Sequence, residues 1–291
     1  MPAPIPTRIL NNGVTIPLLG FGAFQIPPDV TTDAVARALG VGYRLIDTAA
    51  AYLNERQVGE AIARSGIEHS ELFVQTKLWI SDYGYDSALR AFDTSAGKLG
   101  LDYVDLYLLH QPLPSDFEAT LAAYRAAERL LAEGRVRAIG VCNFSPAQLE
   151  RLIGQSRVVP AVNQVEAHPY FAQQELREAD KRLGILTQAW SPLGQIYVYR
   201  PSDAEVVKNI LRDPVLVALA ATYGKTPAQV VLRWHLGHGV SAIPKSVRPE
   251  RIAENFDVVD FELVPADLAA IDALDTGVRG GPEPETVDRR R

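Results

Sequence analysis

Three stretches decide the fold: YRLIDTAAAY (43–52), ELFVQTK (71–77) and VDLYLLH (104–110). Each begins as a short apolar run rich in β-branched or large aliphatic residues and ends in an ionisable group. Asp47, Lys77 and His110 close the three runs, and Tyr52 follows Asp47 in the same strand-end loop. Buried strands seldom end in ionisable residues, and three successive runs do so here. Neighbouring strands of a sheet lie about 4.8 Å apart, so three adjacent strand ends bring their side chains within hydrogen-bonding reach. The pattern puts an acid, a phenol, an ammonium and an imidazole on one rim of a sheet.

Working outward, strand and helix signals alternate along the chain. Strands are expected near 18–22, 43–48, 71–77, 103–109, 136–142, 161–165, 185–190 and 240–244. They lack clean polar/apolar alternation, as strands covered on both faces do. Between them, Leu89, Phe92, Ala96 and Leu99 mark a helix over 86–99 that stops at Gly100, and Leu176, Ala179 and Leu183 mark one over 172–183 before Gly184. Ser145-Pro146-x-Gln148 and Thr226-Pro227-x-Gln229 are matched helix starts, each with a cap, a proline at the first turn and a capping-box glutamine. Asp213-Pro214 opens another helix, and the long segment 191–238 has room for two or three. Ahead of all this, RILNNGVTIP reads as a hairpin turning at Asn12-Gly13, where both positions tolerate positive φ.

Eight βα units in roughly 250 residues, with no Pro/Gly-rich linker, predict an α/β fold of the (β/α)8 TIM-barrel type. The whole chain, 1–291, is expected to be one domain, with a hairpin at 1–17, extra helices after strand 7 and at the C-terminus, and a mobile surface tail at 276–291. An open doubly wound sheet is the rival. It would announce a dinucleotide site by G-x-G-x-x-G after its first strand, but Gly20-Phe21-Gly22-Ala23-Phe24-Gln25 lacks the third glycine.

Bulk properties narrow the function. The net charge is −6 and hydrophobic residues make up 47%, so no basic field draws nucleic acid and a sizeable core is available. One cysteine, Cys142, excludes an internal disulfide and fits a reducing compartment. The start MPAPIPTRIL has no apolar stretch of the signal-peptide kind, and no segment reaches the ~18 apolar residues of a membrane helix. A cytoplasmic protein without membrane or nucleic-acid partners is the expectation. His235 and His238 lie three apart without a carboxylate or thiol companion, so no metal site is expected, and His168 reads as structural.

The four strand-end residues suit one chemistry. A phenol with an unperturbed pKa of ~10 is a poor proton donor near neutrality, but a nearby ammonium favours its phenolate. Lys77 supplies the ammonium, Asp47 holds Lys77 charged and aimed, and His110, as neutral imidazole, orients a carbonyl oxygen. Tyr52 is then a general acid in reduction and a base in oxidation. None of these groups supplies a hydride, so a nicotinamide cofactor is required. Singly, each residue reads as structural: an ion pair, a core tyrosine, a strand-end histidine. Together at successive strand ends they read as a site. Glu166 beside Asp47 admits a two-carboxylate glycosidase, which would leave Lys77 and Tyr52 idle.

The chain also resembles the aldo-keto reductases. The matching motifs are GYRLIDTAAAY, TKLW (76–79), VDLYLLHQP (104–112), GVCNFSPAQL (140–149), PAVNQVEAHPY (160–170), QAWSPLGQ (188–195), GKTPAQVVLRWHL (224–236) and IPKSVRPERIAENFDVVDF (243–261). Bacterial 2,5-diketo-D-gluconate reductase-like members are the most similar in the AWSPLGQ and GKTPAQVVLRWHL stretches. The resemblance implies a (β/α)8 barrel, NADPH/NADP+, a monomer, and a catalytic tetrad that maps onto Tyr52, Lys77, Asp47 and His110. An NADPH-binding redox-sensing regulator on the same barrel, with little turnover, is the alternative.

The cofactor's place is expected along the strand ends. Lys245, Arg248 and Arg251 gather at the start of the last barrel helix, where backbone N–H groups and Arg forks favour a phosphate such as the 2′-phosphate of NADPH. The bland counterpart is a solvated basic helix start. The resemblance places Lys245, Ser246 and Arg251 around that phosphate and Glu254 and Asn255 near the adenine. At the other end, Asn143 and Gln164 are buried amides needing partners, and a nicotinamide carboxamide is one. Trp190 offers a face for ring stacking or else packs as core. Ser191, Leu193 and Gly194 begin a loop expected over the pyrophosphate. Phe24, Trp79 and Tyr197 are expected pocket walls for a small carbonyl substrate of the keto-sugar or dicarbonyl kind. Two departures stand out. Cys142 replaces the serine usual before the amide-binding Asn, and Gln111 replaces a tryptophan after the catalytic His, exchanging an aromatic wall for a polar amide.

Overall fold

A computed structural model describes residues 5–194 and 209–288. Eight parallel strands form one sheet: β3 (Gly20–Gly22), β4 (Leu45–Asp47), β5 (Phe73–Leu78), β6 (Val104–Leu109), β7 (Val136–Cys142), β8 (Val162–Glu166), β9 (Leu186–Trp190) and β10 (Ser241–Ala242). They neighbour one another in chain order, and the first and last edges meet through a parallel bridge between Leu19 and Ala242. Two hydrogen bonds tie this seam, from Ala242 N to Leu18 O (2.8 Å) and from Gly22 N to Pro244 O (3.1 Å). A Cβ on Gly22 would stand 2.8 Å from the Ile243 carbonyl oxygen, so only glycine lets the seam close here. The GFG segment that failed as a dinucleotide fingerprint is thus a barrel joint.

The helices lie outside the sheet: α1 (Pro28–Val41), α2 (Glu55–Ser65), α3 (Tyr85–Leu99), α4 (Phe117–Ala132), α5 (Pro146–Ile153), α6 (Gln174–Arg182), α7 (Pro214–Tyr223), α8 (Pro227–Gly237), α9 (Pro249–Phe256) and α10 (Pro265–Asp272). The capping boxes read from sequence form at Ser145–Gln148 and Thr226–Gln229, and Asp213 caps α7 through Val215 N. The ring of helices closes where Tyr43 packs on Phe256 (ring centroids 4.8 Å) and donates to Ile252 O. Among the described residues no single helix is long and apolar enough to cross a membrane.

Strand β5 explains why alternation was invisible in the sequence. All six of its residues are buried, yet the faces differ. Gln75 and Lys77 point into the barrel, while Thr76 between them points outward and donates to Glu55 on α2 (2.7 Å).

Two expectations need correction. The hairpin β1 (Thr7–Ile9) and β2 (Thr15–Pro17) exists, but it does not turn on a two-residue Asn12-Gly13 loop. Gly13 N bonds Leu10 O and Leu10 N bonds Val14 O, so a turn over Asn11 and Asn12 is followed by Gly13 alone at positive φ (86°). That is the three-residue loop with a glycine bulge, which preserves the twist without placing Asn12 in the left-handed region. The C-terminal tail is the second correction. Residues 276–288 do not trail from the surface; they lie against the barrel. Thr276 bonds Tyr170 O, Gly280 and Gly281 bond the Glu166 carboxylate, and Glu285 accepts from Gln148.

Candidate active site

The four strand-end residues meet at the C-terminal mouth of the barrel. Lys77 Nζ, fully buried, donates to Asp47 Oδ1 (2.5 Å), to Thr48 O (3.0 Å) and to Tyr52 Oη (3.1 Å). Asp47 ends β4, Lys77 is the penultimate residue of β5, and His110 follows β6 directly. The Tyr52 ring meets Phe24 (centroids 4.9 Å) and the edge of His110 (5.6 Å), and Trp79 stands 4.9 Å from His110. The loop carrying Tyr52 is fixed from below by Asn54. Its Oδ1 accepts from Thr48 Oγ1 (2.9 Å) and its Nδ2 donates to Ala23 O (2.9 Å).

Electrostatics follow from burial. Desolvation first, then the positive charge of Lys77, hold the His110 imidazole well below the ordinary histidine range. It is neutral at pH 7, with a buried Nδ1 that has no partner among the described residues. Burial raises the Cys142 thiol well above its ordinary range, so it stays protonated, and Cys142 does not line the cleft. The inert buried thiol is the reading that geometry favours over a carboxamide contact.

A cleft of about 860 Å³ runs from this cluster along the strand ends. Phe24, Trp79, Gln111 and Pro282 line one end beside Tyr52 and His110; Asn143, Gln164, Trp190, Ser191, Leu193 and Gly194 line the middle; Lys245, Ser246, Arg251, Glu254 and Asn255 line the far end. Arg248 lies outside this lining, its backbone N–H bonded to Ser246 Oγ (3.1 Å). Tyr197 falls outside the described residues. Partial burial lowers the Lys245 ammonium below its ordinary value. Glu254 is held by Thr226 Oγ1 (2.7 Å). Asn143, Gln25 and Ser191 line the cleft with φ of 65°, 57° and 46°, so the backbone is locally strained where it faces the cavity.

Some members were missed from sequence. The carbonyl of Thr48 bonds Lys77, and the tail delivers Pro282 to the mouth. Inside the barrel, Gln75 and Gln188 are fully buried, a polar pair whose presence in the otherwise apolar runs 71–77 and 185–190 was the available signal. Trp190 is not a free platform: its indole N–H donates to Asn143 Oδ1 (2.9 Å), and its ring edge abuts Gly281. Glu166 is not a second acid beside Asp47, because its buried carboxylate accepts from Gly280 N (2.7 Å) and Gly281 N (2.9 Å). His235 and His238 are bound to Pro192 O and Asp272, and among the described residues no group of three His, Cys, Asp or Glu is placed to hold a metal.

A closed parallel barrel with a Tyr–Lys–Asp–His cluster at its mouth defines a class of oxidoreductase, and comparison with known proteins agrees. The profile of the aldo/keto reductase family matches residues 18–276, and the chain belongs to that family. It is 55% identical to morphine 6-dehydrogenase of Pseudomonas putida, covering 97% of this chain and 96% of that one. It is 44% identical to glyoxal reductase of Bacillus subtilis, covering 96% of each. Among solved structures, an aldo/keto reductase from Brucella melitensis matches with 50% identity and a TM-score of 0.86, over 93% of this chain and all of that one. An aldo-keto reductase from Bombyx mori, in complex with NADP, matches with 36% identity and a TM-score of 0.89, over 96% of each chain.

Proposed function

We propose that this enzyme reduces aldehydes and ketones to alcohols with NADPH, with Tyr52 as the proton donor. The observation that carries the reading is Lys77 Nζ, hydrogen-bonded at once to Asp47 and Tyr52 at the head of a cleft whose far end holds Lys245 and Arg251. The described residues fit a dinucleotide. The cleft has the volume of a ligand site, cations line one end, and Gln164 in the middle has a carbonyl oxygen that takes no donor from the described residues. Lys245, Ser246 and Arg251 would hold a 2′-phosphate; Glu254 and Asn255 the adenine; the turn Ser191–Gly194 the pyrophosphate; Asn143 and Gln164 the carboxamide; Trp190 the ring. When bound, the dihydronicotinamide supplies the hydride that none of the side chains can.

The residues do the rest. Neutral His110 hydrogen-bonds the carbonyl oxygen and turns it toward Tyr52. Tyr52 transfers its phenolic proton to that oxygen as the carbonyl carbon gains the hydride, so the product is the alcohol and the residue left behind is a phenolate. Lys77 stabilises that phenolate through the 3.1 Å contact, and Asp47 aims the ammonium. The proton returns from solvent when the product leaves. Gln111 puts a polar amide on the pocket wall, which suits a substrate bearing hydroxyl or second carbonyl groups. Two relatives, glyoxal reductase of B. subtilis and methylglyoxal reductase of Yersinia pestis, carry dicarbonyl substrates in their names. Dicarbonyls and keto-sugars are therefore the substrate class. The test is the loss of near-ultraviolet NADPH absorbance across a panel of aldehydes, diketones and keto-sugars. Tight NADPH binding with no turnover of any member would contradict the reductase and favour a sensor.

A further inference from the structure

Beyond His110 the chain leaves the sheet, and a side chain receives it where a strand no longer does. His110 N still donates to Leu78 O (3.1 Å), continuing the pairing of β6 with β5. At Gln111 the partner is the hydroxyl of Tyr83. It accepts from Gln111 N (3.2 Å) and donates to Gln111 O (2.5 Å). One oxygen atom thus satisfies both backbone groups of one residue, as a neighbouring strand would. The carbonyls on either side are held as well, His110 O by Asn143 Nδ2 (3.1 Å) and Pro112 O by Thr120 Oγ1 (2.6 Å).

Tyr83 comes from the loop between β5 and α3. Asp82 N bonds Trp79 O (3.1 Å) and Tyr83 N bonds Ile80 O (3.3 Å), which coils the loop into a turn, and Gly84 at φ 136° sends the chain away into α3. The Tyr83 ring is buried, 4% exposed. Burial raises its phenol well above the ordinary range, against a smaller lowering by the Gln111 bond, so the hydroxyl keeps the proton it donates. Tyr83 does not line the cleft, whereas Gln111 and Trp79 do. An effect of the Tyr83 hydroxyl on substrate therefore passes through Gln111.

A glutamine on a loop discriminates between substrates only when it is already in place. Where backbone and side chain must be ordered on binding, that ordering offsets the hydrogen bond gained. We propose that Tyr83 is a positioning residue for substrate selection: its hydroxyl pins the Gln111 backbone and so holds the amide on the pocket wall where the second polar group of a dicarbonyl or hydroxy-carbonyl arrives. The proposal rests on the reading above that Gln111 meets that group. The loop after β5 then serves the mouth twice, through Trp79 against the His110 ring (4.9 Å) and through Tyr83 against the Gln111 backbone.

The test is a selectivity ratio. Methylglyoxal and propanal share a carbon frame and differ by the second carbonyl, so the ratio of their kcat/KM values reads that group. Comparing the ratio between variants cancels their unequal intrinsic reactivity. In Gln111→Leu the ratio should fall by about fivefold, the worth of one neutral hydrogen bond. Tyr83→Phe deletes one oxygen and keeps the ring. There the ratio should fall by about threefold, through KM for methylglyoxal, with NADPH affinity within about twofold of the unaltered enzyme. The double variant should match Gln111→Leu within about twofold, because the hydroxyl acts through Gln111. Tyr83→Met lacks the same hydroxyl and repeats the comparison should the Phe variant not fold. A Tyr83 that is merely structural slows both aldehydes alike; a ratio that falls in Gln111→Leu but not in the folded Tyr83 variant overturns the proposal. So does a double variant whose loss is the product of the two single losses. A ratio unmoved by Gln111→Leu overturns the Gln111 reading beneath the proposal, and an unaltered enzyme that reduces neither aldehyde overturns the reductase itself.

Discussion

Replacing Lys77 with methionine should damage stability and activity together, and a second substitution should separate the two. Lys77 is fully buried and makes three hydrogen bonds, to Asp47, Thr48 and Tyr52. Removing one partner of a buried ion pair costs about 3–5 kcal/mol, chiefly because the other charge is stranded. Asp47 would keep its donors Gln75 (2.6 Å) and Gln164 (3.0 Å), which sets the loss near the lower limit, about 3 kcal/mol. That is a large part of the 5–15 kcal/mol, roughly, that holds a domain folded. Turnover should fall by about 10²–10⁴, because Tyr52 would have to give up its proton with no ammonium beside the phenolate. Adding Asp47→Asn removes the stranded charge while leaving an Oδ1 for Gln75 and Gln164. The double variant should regain most of the lost stability and none of the lost turnover. Urea unfolding and steady-state kinetics on the two variants measure both. Activity within about tenfold of the unaltered enzyme, or a double variant no more stable than the single, would refute the reasoning.

Other consequences can be checked on the same footing. Arg251→Ala should weaken NADPH far more than NADH in equilibrium binding, since Arg251 lines the far end of the cleft; equal weakening would remove the 2′-phosphate contact from the account. Glu166→Ala should strand the Gly280 and Gly281 N–H groups and release the tail, raising KM for the carbonyl through Pro282 while NADPH affinity holds; unchanged amide exchange at Gly280 and Gly281 would argue against the clasp. Burial pushes the Asp180 carboxyl up to about 7 from 3.8, against weaker opposing bonds from Thr187 and Asn163. Because the folded form holds its proton longer than the unfolded chain, stability should decline as pH rises between those two values. Asp180→Asn should therefore gain on the unaltered protein by roughly 2 kcal/mol more at pH 8 than at pH 5, and a gain that does not grow with pH contradicts the assignment.

The strands, the capped helices and the tetrad were legible because each rests on local chemistry. Ser145 and Thr226 carry their capping glutamines three residues on, and Asp47, Lys77 and His110 sit where apolar runs stop. What escaped was long-range. The tail reads as polar, glycine-rich chain, and only the placement of Glu166, 114 residues from Gly280, gives its amides a partner. Gln75 and Gln188 are 113 residues apart, and nothing in either strand says that barrel closure will set them face to face around Asp47. Trp190 was legible as a flat ring but not as a donor to Asn143, because that bond depends on how two strand ends lean together. The hairpin turn was misread for a local reason: Asn-Gly marks the bend, but the bulge at Gly13 takes the positive φ alone.

The most direct test of the central claim is Tyr52→Phe, which removes one oxygen atom and leaves the ring against Phe24 and His110. NADPH consumption with the best carbonyl of the panel should fall by about 10²–10⁴, while NADPH binding stays within about twofold of the unaltered enzyme. A variant that binds NADPH and reduces the carbonyl at the unaltered rate would contradict the assignment of Tyr52 as the proton donor.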